Sequence, residues 1–109
     1  MITCFIRYEL DPYKKDQFNQ YAVTWGQVIP RCGADLIGYF SPHEGSSTTG
    51  FGVYNIASLA DYEAYRARLA ADPQGRENYQ FAQREMFIRR EDRIFLKNVS
   101  LPHGKMVTP

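Results

Sequence analysis

"DLIGYFSPHEGSS", residues 35–47, begins with a strand whose two faces are both apolar. In an extended chain Leu36 and Phe40 lie on one side, and Ile37 and Tyr39 lie on the other. The Pro, Gly and Ser residues that follow are typical of a loop, and a second alternating segment comes directly after them. This stretch therefore predicts a β-hairpin in the middle of the chain, and both faces of its first strand need a covering layer.

Strands and helices alternate around this hairpin. Alternating apolar and polar residues predict four strands, at residues 2–10, 35–41, 48–56 and 90–99. Asp11, which is followed by a proline, is expected to cap a first helix that ends at Gly33, because glycine accepts the left-handed conformation of a helix terminus. Ser58 is expected to cap a second helix, and Asp72 with the next proline interrupts that helix and starts a shorter one.

The order strand, helix, strand, strand, helix, strand is typical of one fold class. It is the split βαβ arrangement of a ferredoxin-like α+β domain, in which two helices cover one face of a four-stranded antiparallel sheet. The length of 109 residues suits one domain and is too short for two. We predict that this domain spans residues 1–99, and that residues 100–109 form a C-terminal extension without a core of its own.

The composition argues against several classes of partner. The net charge of +1 arises from 13 basic and 12 acidic residues spread along the chain, so nothing favours nucleic acid. Because no apolar leader or long apolar run is evident, we expect no membrane insertion and a cytoplasmic location. Cys4 and Cys32 match no metal or redox spacing and are expected to be small buried hydrophobes. We therefore expect no metal and no other cofactor.

The face of the sheet opposite the helices, here called the reverse face, is predicted to be apolar. From the alternation of each strand, the helices are expected to cover Cys4, Ile6, Ile94 and Leu96. The reverse face then carries Phe5, Arg7, Tyr39 or its neighbouring row, Tyr54 and Phe95. Such a face exceeds the apolar patch of roughly a few hundred Å² that a soluble monomer normally shows. We therefore expect a homodimer that forms through this sheet face, across a two-fold axis.

The eight tyrosines and seven phenylalanines indicate an interface or a pocket. The sequence leaves two alternatives, a ligand cavity between the two sheets or a fully packed interface. Candidate catalytic residues are His43, which can exchange a proton near neutral pH, and Arg7, whose guanidinium can hold a carboxylate or enolate. Tyr39 and Tyr54 are candidate ligand-binding residues, because their hydroxyls can donate to a substrate oxygen. The simpler alternatives are a solvated loop histidine, an Arg7 salt bridge across the dimer and packed interface tyrosines.

Several segments of the chain resemble the NIPSNAP family. They are RYELDPYKKDQF near the start, VTWGQVIP in the first helix, GADLIGYF in the second strand, SLADYEAYRARLAADPQGRENYQ, and REDRIF in the last strand. The resemblance covers residues 2–97, and the ADP of residues 71–73 is its most recognisable part. It implies a ferredoxin-like unit of the dimeric α/β-barrel group, and hence homodimers built by packing two sheets together.

The resemblance and the residues together predict a NIPSNAP-type protein that binds a small apolar or carbonyl-bearing molecule. The ligand would lie between the sheet and the helices or in the dimer cavity. Relatives in the wider group include cofactor-free monooxygenases, lactone isomerases and haem-binding enzymes, although a shared fold does not transfer a reaction. A cofactor-free monooxygenase-like or isomerase-like enzyme is therefore one alternative, and a non-catalytic protein-interaction module with a filled interface is another. An open, polar-lined cavity that contains His43 or Arg7 would favour a ligand or an enzyme reaction, whereas a packed interface with His43 in solvent would favour the module.

Overall fold

Seven elements make up the part of the chain that the computed structural model describes, residues 1–100. In chain order they are β1 (Ile2–Leu10), α1 (Lys15–Arg31), β2 (Asp35–Phe40), β3 (Thr49–Ile56), α2 (Leu59–Ala71), α3 (Pro73–Glu85) and β4 (Ile88–Leu96). The predicted ferredoxin-like α+β order is confirmed, and α2 and α3 are separate helices because Pro73 has no N–H to continue α2. Apart from Ser100, the predicted C-terminal extension lies outside the described residues.

The four strands form one antiparallel sheet in the order β2-β3-β1-β4. The central strand β1 pairs with β3 on one side and with β4 on the other, so that Cys4 lies opposite both Tyr54 and Phe95. Facing residues of paired strands point to the same face of a sheet. These three side chains therefore share the face that the helices cover.

This register corrects the predicted distribution of side chains between the two faces. Phe95, predicted on the reverse face, packs against Tyr62 of α2 with ring centroids 4.8 Å apart, and Tyr54 also faces the helices. Ile94 and Leu96, predicted under the helices, lie on the reverse face and are 54% and 49% exposed. The prediction was wrong because it assumed that the apolar row of β4 faces the helices, whereas polar residues of β4 line a cavity there.

A β-bulge explains why β2 is apolar on both sides. The register between β2 and β3 shifts between Leu36 and Gly38. This irregularity turns both Leu36 and Tyr39 towards the helices, whereas strict alternation predicts them on opposite faces. Ile37 and Phe40 lie on the reverse face, where they are 52% and 51% exposed. Strand β2 therefore contributes apolar side chains both to the core and to the reverse face.

The core lies between the helix-covered face of the sheet and α1. The helix buries one stripe against the sheet, and this stripe includes the buried residues Phe18, Tyr21, Trp25 and Val28. Phe18 is fully buried, and its ring packs edge-on against Tyr8 of β1 with centroids 5.3 Å apart. Full burial of a side chain of this kind contributes about 1.5–3 kcal/mol to the free energy of folding. The stripe therefore fixes how α1 sits on the sheet.

The helix ends agree with the sequence prediction except at the start of α1. This helix begins at Lys15, later than predicted, because Asp11 accepts the N–H of Tyr13 at 2.9 Å and caps a turn instead of the helix. Gly33 follows the end of α1 with φ of 104°, as expected for a left-handed terminator. Ser58 caps α2 as predicted, since its hydroxyl oxygen accepts a first-turn N–H at 3.1 Å.

Asp72 connects the three helices. Its Oδ1 accepts the N–H of Gly75 at 3.0 Å and so caps α3. Its two oxygens also accept hydrogen bonds from Nε and Nη2 of Arg31, in the last turn of α1, at 3.0 and 2.9 Å. The Gly75 N–H and the Arg31 guanidinium lower the pKa of Asp72. One carboxylate therefore holds the ends of α1, α2 and α3 together.

Three further features of the described residues concern membrane-spanning helices, thiols and metal ligands. Among the helices of residues 1–100, none combines the length and apolar character that crossing a bilayer requires. Cys4 and Cys32 are buried free thiols, and burial raises the pKa of both. Within these same residues, no three His, Cys, Asp or Glu side chains are grouped so that they could hold a metal ion.

Candidate functional site

A cavity of about 800 Å³ lies between the helix-covered face of the sheet and the three helices. Its wall contains seven of the eight tyrosines of the chain, and we call it the tyrosine cavity. The seven are Tyr8, Tyr21, Tyr39, Tyr54, Tyr62, Tyr65 and Tyr79. Trp25, Arg66, Arg76, Glu91 and Arg93 also line it. Ligand sites in proteins typically measure about 300–1,000 Å³, so this cavity can hold a small organic molecule.

A pair of tyrosines on the sheet forms part of the cavity floor. The hydroxyl oxygens of Tyr8 and Tyr39 are hydrogen-bonded at 2.9 Å. The ring of Tyr39 fits over β3 only because position 52 is glycine, where a Cβ atom would lie 2.6 Å from Cζ of Tyr39. In such a pair one hydroxyl donates to the other, which leaves one O–H able to donate to Tyr21 or to a ligand. The floor therefore presents phenol donors.

Trp25 of α1 contributes a donor without an acceptor. Its side chain is 8% exposed, and its Nε1–H is buried with no hydrogen-bond partner among residues 1–100. Its ring packs edge-on against Tyr21 with ring centroids 5.6 Å apart. The nearby indole N–H lowers the pKa of Tyr21, but it does not meet the geometry of a hydrogen bond. A buried donor that lacks an acceptor costs about 1–3 kcal/mol. An acceptor atom from a bound molecule would recover this free energy.

Two charged residues of β4 enter the cavity from the sheet. Nη2 of Arg93 and Oε2 of Glu91 form an ion pair at 2.9 Å, and each side chain is 35% exposed. Burial lowers the pKa of Arg93, but Tyr62, Glu91, Tyr54 and Cys4 raise it, and the pKa is higher than that of a free guanidinium, so the group stays charged. Because the two charges oppose each other, this pair adds polarity to the cavity without a net charge.

Four buried tyrosines of the cavity, Tyr8, Tyr21, Tyr39 and Tyr54, are proton donors rather than bases at neutral pH. Burial raises the pKa of Tyr8 and of Tyr39 well above that of a free phenol, and it raises the pKa of Tyr21 to about 12. Burial also raises the pKa of Tyr54. These hydroxyls therefore remain protonated at neutral pH, and each can donate one hydrogen bond.

The raised pKa values predict that stability falls in alkali. A phenol whose folded-state pKa exceeds its unfolded value, near 10, contributes stability that is present below pH 10 and is lost as the pH rises towards the folded value. In urea titrations from pH 7 to 11, the free energy of unfolding should decline above about pH 10, approaching about 1.4 kcal/mol per pH unit for each buried phenol. Tyr8→Phe should lessen the decline. A profile that stays flat to pH 11 would contradict burial of these phenols.

A second cavity, of about 720 Å³, adjoins the tyrosine cavity beside the end of α3. The two cavities share Tyr21, Tyr79, Gln83 and Glu91 as lining residues. Lys14 lines only the second cavity, and its Nζ donates to the carbonyl oxygen of Glu85. The space available to a ligand therefore continues from the tyrosine cavity along α3.

The structure separates the four residues that the sequence suggested for the site. Tyr39 and Tyr54 both line the tyrosine cavity, under the helices and not between two sheets as predicted. His43 is exposed in the loop between β2 and β3, and Arg7 is exposed on the reverse face. Neither residue lines the tyrosine cavity. The catalytic roles of His43 and Arg7 remain predictions, and a single chain does not bring them together with the tyrosines.

The sequence prediction missed several cavity residues. Glu91 and Arg93 alternate with the apolar residues of β4, so only the register with β1 shows that they face the helices. Arg66 and Arg76 are exposed on their helices, and nothing in the sequence distinguishes them from other surface arginines. The high tyrosine content did indicate a pocket or an interface, and the pocket is where these tyrosines lie.

Comparisons with known proteins place the chain among structures of one fold. A family model, NIPSNAP, matches residues 3–102. A protein from Agrobacterium tumefaciens, 21% identical, aligns over 89% of this chain and 92% of its own with a TM-score of 0.77. An uncharacterised NIPSNAP domain protein from Burkholderia xenovorans, 23% identical, aligns over 92% and 96% with a TM-score of 0.72.

The fold also extends beyond that family. A provisionally assigned antibiotic biosynthesis monooxygenase from Nitrosomonas europaea, 9% identical, aligns over 91% of this chain and 99% of its own with a TM-score of 0.70. At such an identity the structural similarity shows a shared fold and no shared reaction. No curated protein matches the chain.

Proposed function

The chain belongs to the NIPSNAP family, and we propose that this member binds a small organic molecule in the tyrosine cavity. The observation that carries the proposal is an open cavity of about 800 Å³ whose lining includes Trp25, a residue whose buried indole N–H has no hydrogen-bond partner among residues 1–100. A ligand oxygen that accepts this N–H would remove the penalty of an unmet donor. Walls made of tyrosine rings favour a flat ligand that contains rings itself, because aromatic groups pack well against one another.

Titration with a naphthyl probe tests this proposal. Because Trp25 is the single tryptophan, the ¹⁵N-labelled protein has one indole N–H resonance, and 2-naphthoate or 2-naphthamide should shift it. Trp25→Phe keeps an aromatic ring but removes the donor, so calorimetry should show affinity about 2- to 12-fold weaker, the range of a neutral hydrogen bond. Tyr13→Phe is the control, since Tyr13 is 93% exposed and is the one tyrosine outside the cavity. If neither probe moves the resonance or binds in calorimetry, the proposal fails.

A cofactor-free enzyme of the isomerase or monooxygenase type is a second candidate function. The observation that favours it is the pair of protonated hydroxyls of Tyr8 and Tyr39 on the cavity floor. Fixed donors of this kind stabilise the negative charge that develops on a substrate oxygen during enolisation or oxygenation. His43 as acid or base and Arg7 as anion holder would then have to act outside the tyrosine cavity.

We further propose that the protein forms a homodimer through its reverse face. The support is an apolar surface in which four side chains are each about half exposed, namely Ile37, Phe40, Ile94 and Leu96. Phe5 and Leu96 also line a groove of about 410 Å³ on this surface. A second copy, related by a two-fold axis, brings the same rows of side chains together and removes them from water. Each tyrosine cavity then lies on the outer side of the paired sheets, so each chain keeps its own site.

A further inference from the structure

We propose that the ligand of the tyrosine cavity is an aromatic anion, and that Arg66 and Arg76 bind its negative charge. This inference rests on the proposed function, since it names the class of molecule that the cavity binds. Both arginines line the cavity, and both are exposed, which places them on its solvent side. They project from different helices, Arg66 from α2 and Arg76 from α3, and both helices therefore bring a guanidinium group to the same cavity.

Arg66 and Arg76 lack the carboxylate partners that many other arginines of the protein have. Within residues 1–100, ion pairs to carboxylates are made by Arg31, Arg84, Arg89, Arg90 and Arg93. In the same part of the chain neither Arg66 nor Arg76 forms an ion pair. The guanidinium carbon of Arg66 lies 5.7 Å from the ring centroid of Tyr62, and Nη1 of Arg76 reaches the carbonyl oxygen of Ala70 only at 3.5 Å. Most of their donors therefore remain available to a ligand.

The charges that line the cavity do not cancel. Three arginines and one glutamate line it, and Glu91 is already paired with Arg93. The remaining excess of two positive charges comes from Arg66 and Arg76, in a chain whose net charge is only +1. Guanidinium groups bind carboxylates and enolates through paired N–H donors, and a low-dielectric wall strengthens the attraction. A neutral ligand would use none of this charge.

The aromatic part of the ligand follows from the remainder of the wall. The guanidinium of Arg66 lies over the ring of Tyr62, and the same ring packs edge-on against Phe95 of β4, so the charged end of the site adjoins aromatic surface. Trp25 supplies a donor deeper in the cavity. A molecule with a flat ring system and an anionic oxygen at one end matches both features, because its rings contact tyrosines while its charge stays near solvent.

The test compares two probes that differ only in charge, 2-naphthoate and 2-naphthamide. Calorimetry at low ionic strength should show naphthoate binding about tenfold more tightly, the size expected from two solvent-exposed ion pairs. The double variant Arg66→Gln, Arg76→Gln should lose this preference and bind both probes alike. Lys15→Gln with Arg84→Gln is the matched control, since it removes the same charge at exposed positions outside the cavity and should keep the preference.

Each outcome separates this inference from the function on which it rests. If both probes shift the Trp25 indole resonance with equal affinity, the cavity binds ligands but the anion inference is wrong. If naphthoate binds more tightly and the Arg66, Arg76 variant keeps the full preference, the inference is also wrong, because the charge is then recognised elsewhere. If neither probe binds, the proposed function itself fails. Loss of the preference in that variant alone, with its thermal midpoint unchanged, supports the inference.

Discussion

Ile94→Arg is expected to convert the protein from a dimer into a monomer at micromolar concentration. Ile94 is 54% exposed in the single chain and lies on the reverse face, which we propose as the dimer interface. An arginine there would place unpaired charges from both protomers in a surface that becomes buried, at a cost of about 3 kcal/mol or more. The dissociation constant of the dimer should therefore rise at least about a hundredfold. Light scattering coupled to gel filtration reads this change directly.

The control for this substitution is Leu59→Arg. Leu59 is 60% exposed, like Ile94, but lies in the first turn of α2 on the helix side of the molecule. The same apolar-to-charged change there should leave the dimer intact. A wild-type protein that has the mass of one chain at micromolar concentration would overturn the proposed interface, and so would a dimer that tolerates arginine at position 94.

Gly52→Ala is expected to destabilise the fold and to weaken ligand binding together. A Cβ atom at position 52 would lie 2.6 Å from Cζ of Tyr39, and that ring is held by Tyr8, Phe18 and Tyr21 at centroid distances of 5.9, 6.3 and 6.4 Å. The ring cannot move aside without disturbing these neighbours, and overpacking of this kind costs about 1–3 kcal/mol. The midpoint of thermal unfolding should fall by roughly 4–20 °C for a domain of this size. Affinity for 2-naphthoate should fall as well, because Tyr39 forms part of the cavity floor.

Gly26→Ala is the matched substitution that should have the opposite effect. A Cβ atom on Gly26 meets nothing within 4 Å, and the residue is exposed in the interior of α1. Alanine is more favourable than glycine at such a position by about 0.5–1 kcal/mol, so the midpoint should rise slightly. Calorimetry with 2-naphthoate should show unchanged affinity. If Gly52→Ala behaves like Gly26→Ala, the tight fit of Tyr39 over β3 is not a feature of the protein in solution.

The element order could be predicted from the sequence because local signals define it. The capping residue Ser58, the terminator Gly33 and the helix break at Pro73 act within a few residues of themselves, and the structure confirms each. The side-chain faces could not be predicted in the same way. A bulge in β2 turns Tyr39 towards the helices, and bulges depend on pairing with a distant strand.

The sequence could predict a tyrosine-rich pocket or interface, but not the face of the sheet on which it lies. Tyrosine is suited to surfaces that are buried yet polar, and the number of tyrosines by itself indicates a pocket or an interface. The composition does not favour the helix side over the reverse face. His43 was chosen for the chemistry of imidazole, but its loop lies away from the cavity. Arg66 and Arg76 differ from other surface arginines because they line the tyrosine cavity, which is a property of the folded chain.

The helix junction at Asp72 has a consequence for how molecules reach the space beneath the helices. Besides its bonds to Arg31 and Gly75, the junction includes Gln74, which accepts from Arg31 at 3.0 Å and donates to Gln27 of α1 at 2.8 Å. We expect these contacts to restrain movement of the three helices relative to one another. Ligand exchange should then depend mainly on rotation of exposed side chains at the rim of the cavity, a motion of picoseconds to nanoseconds.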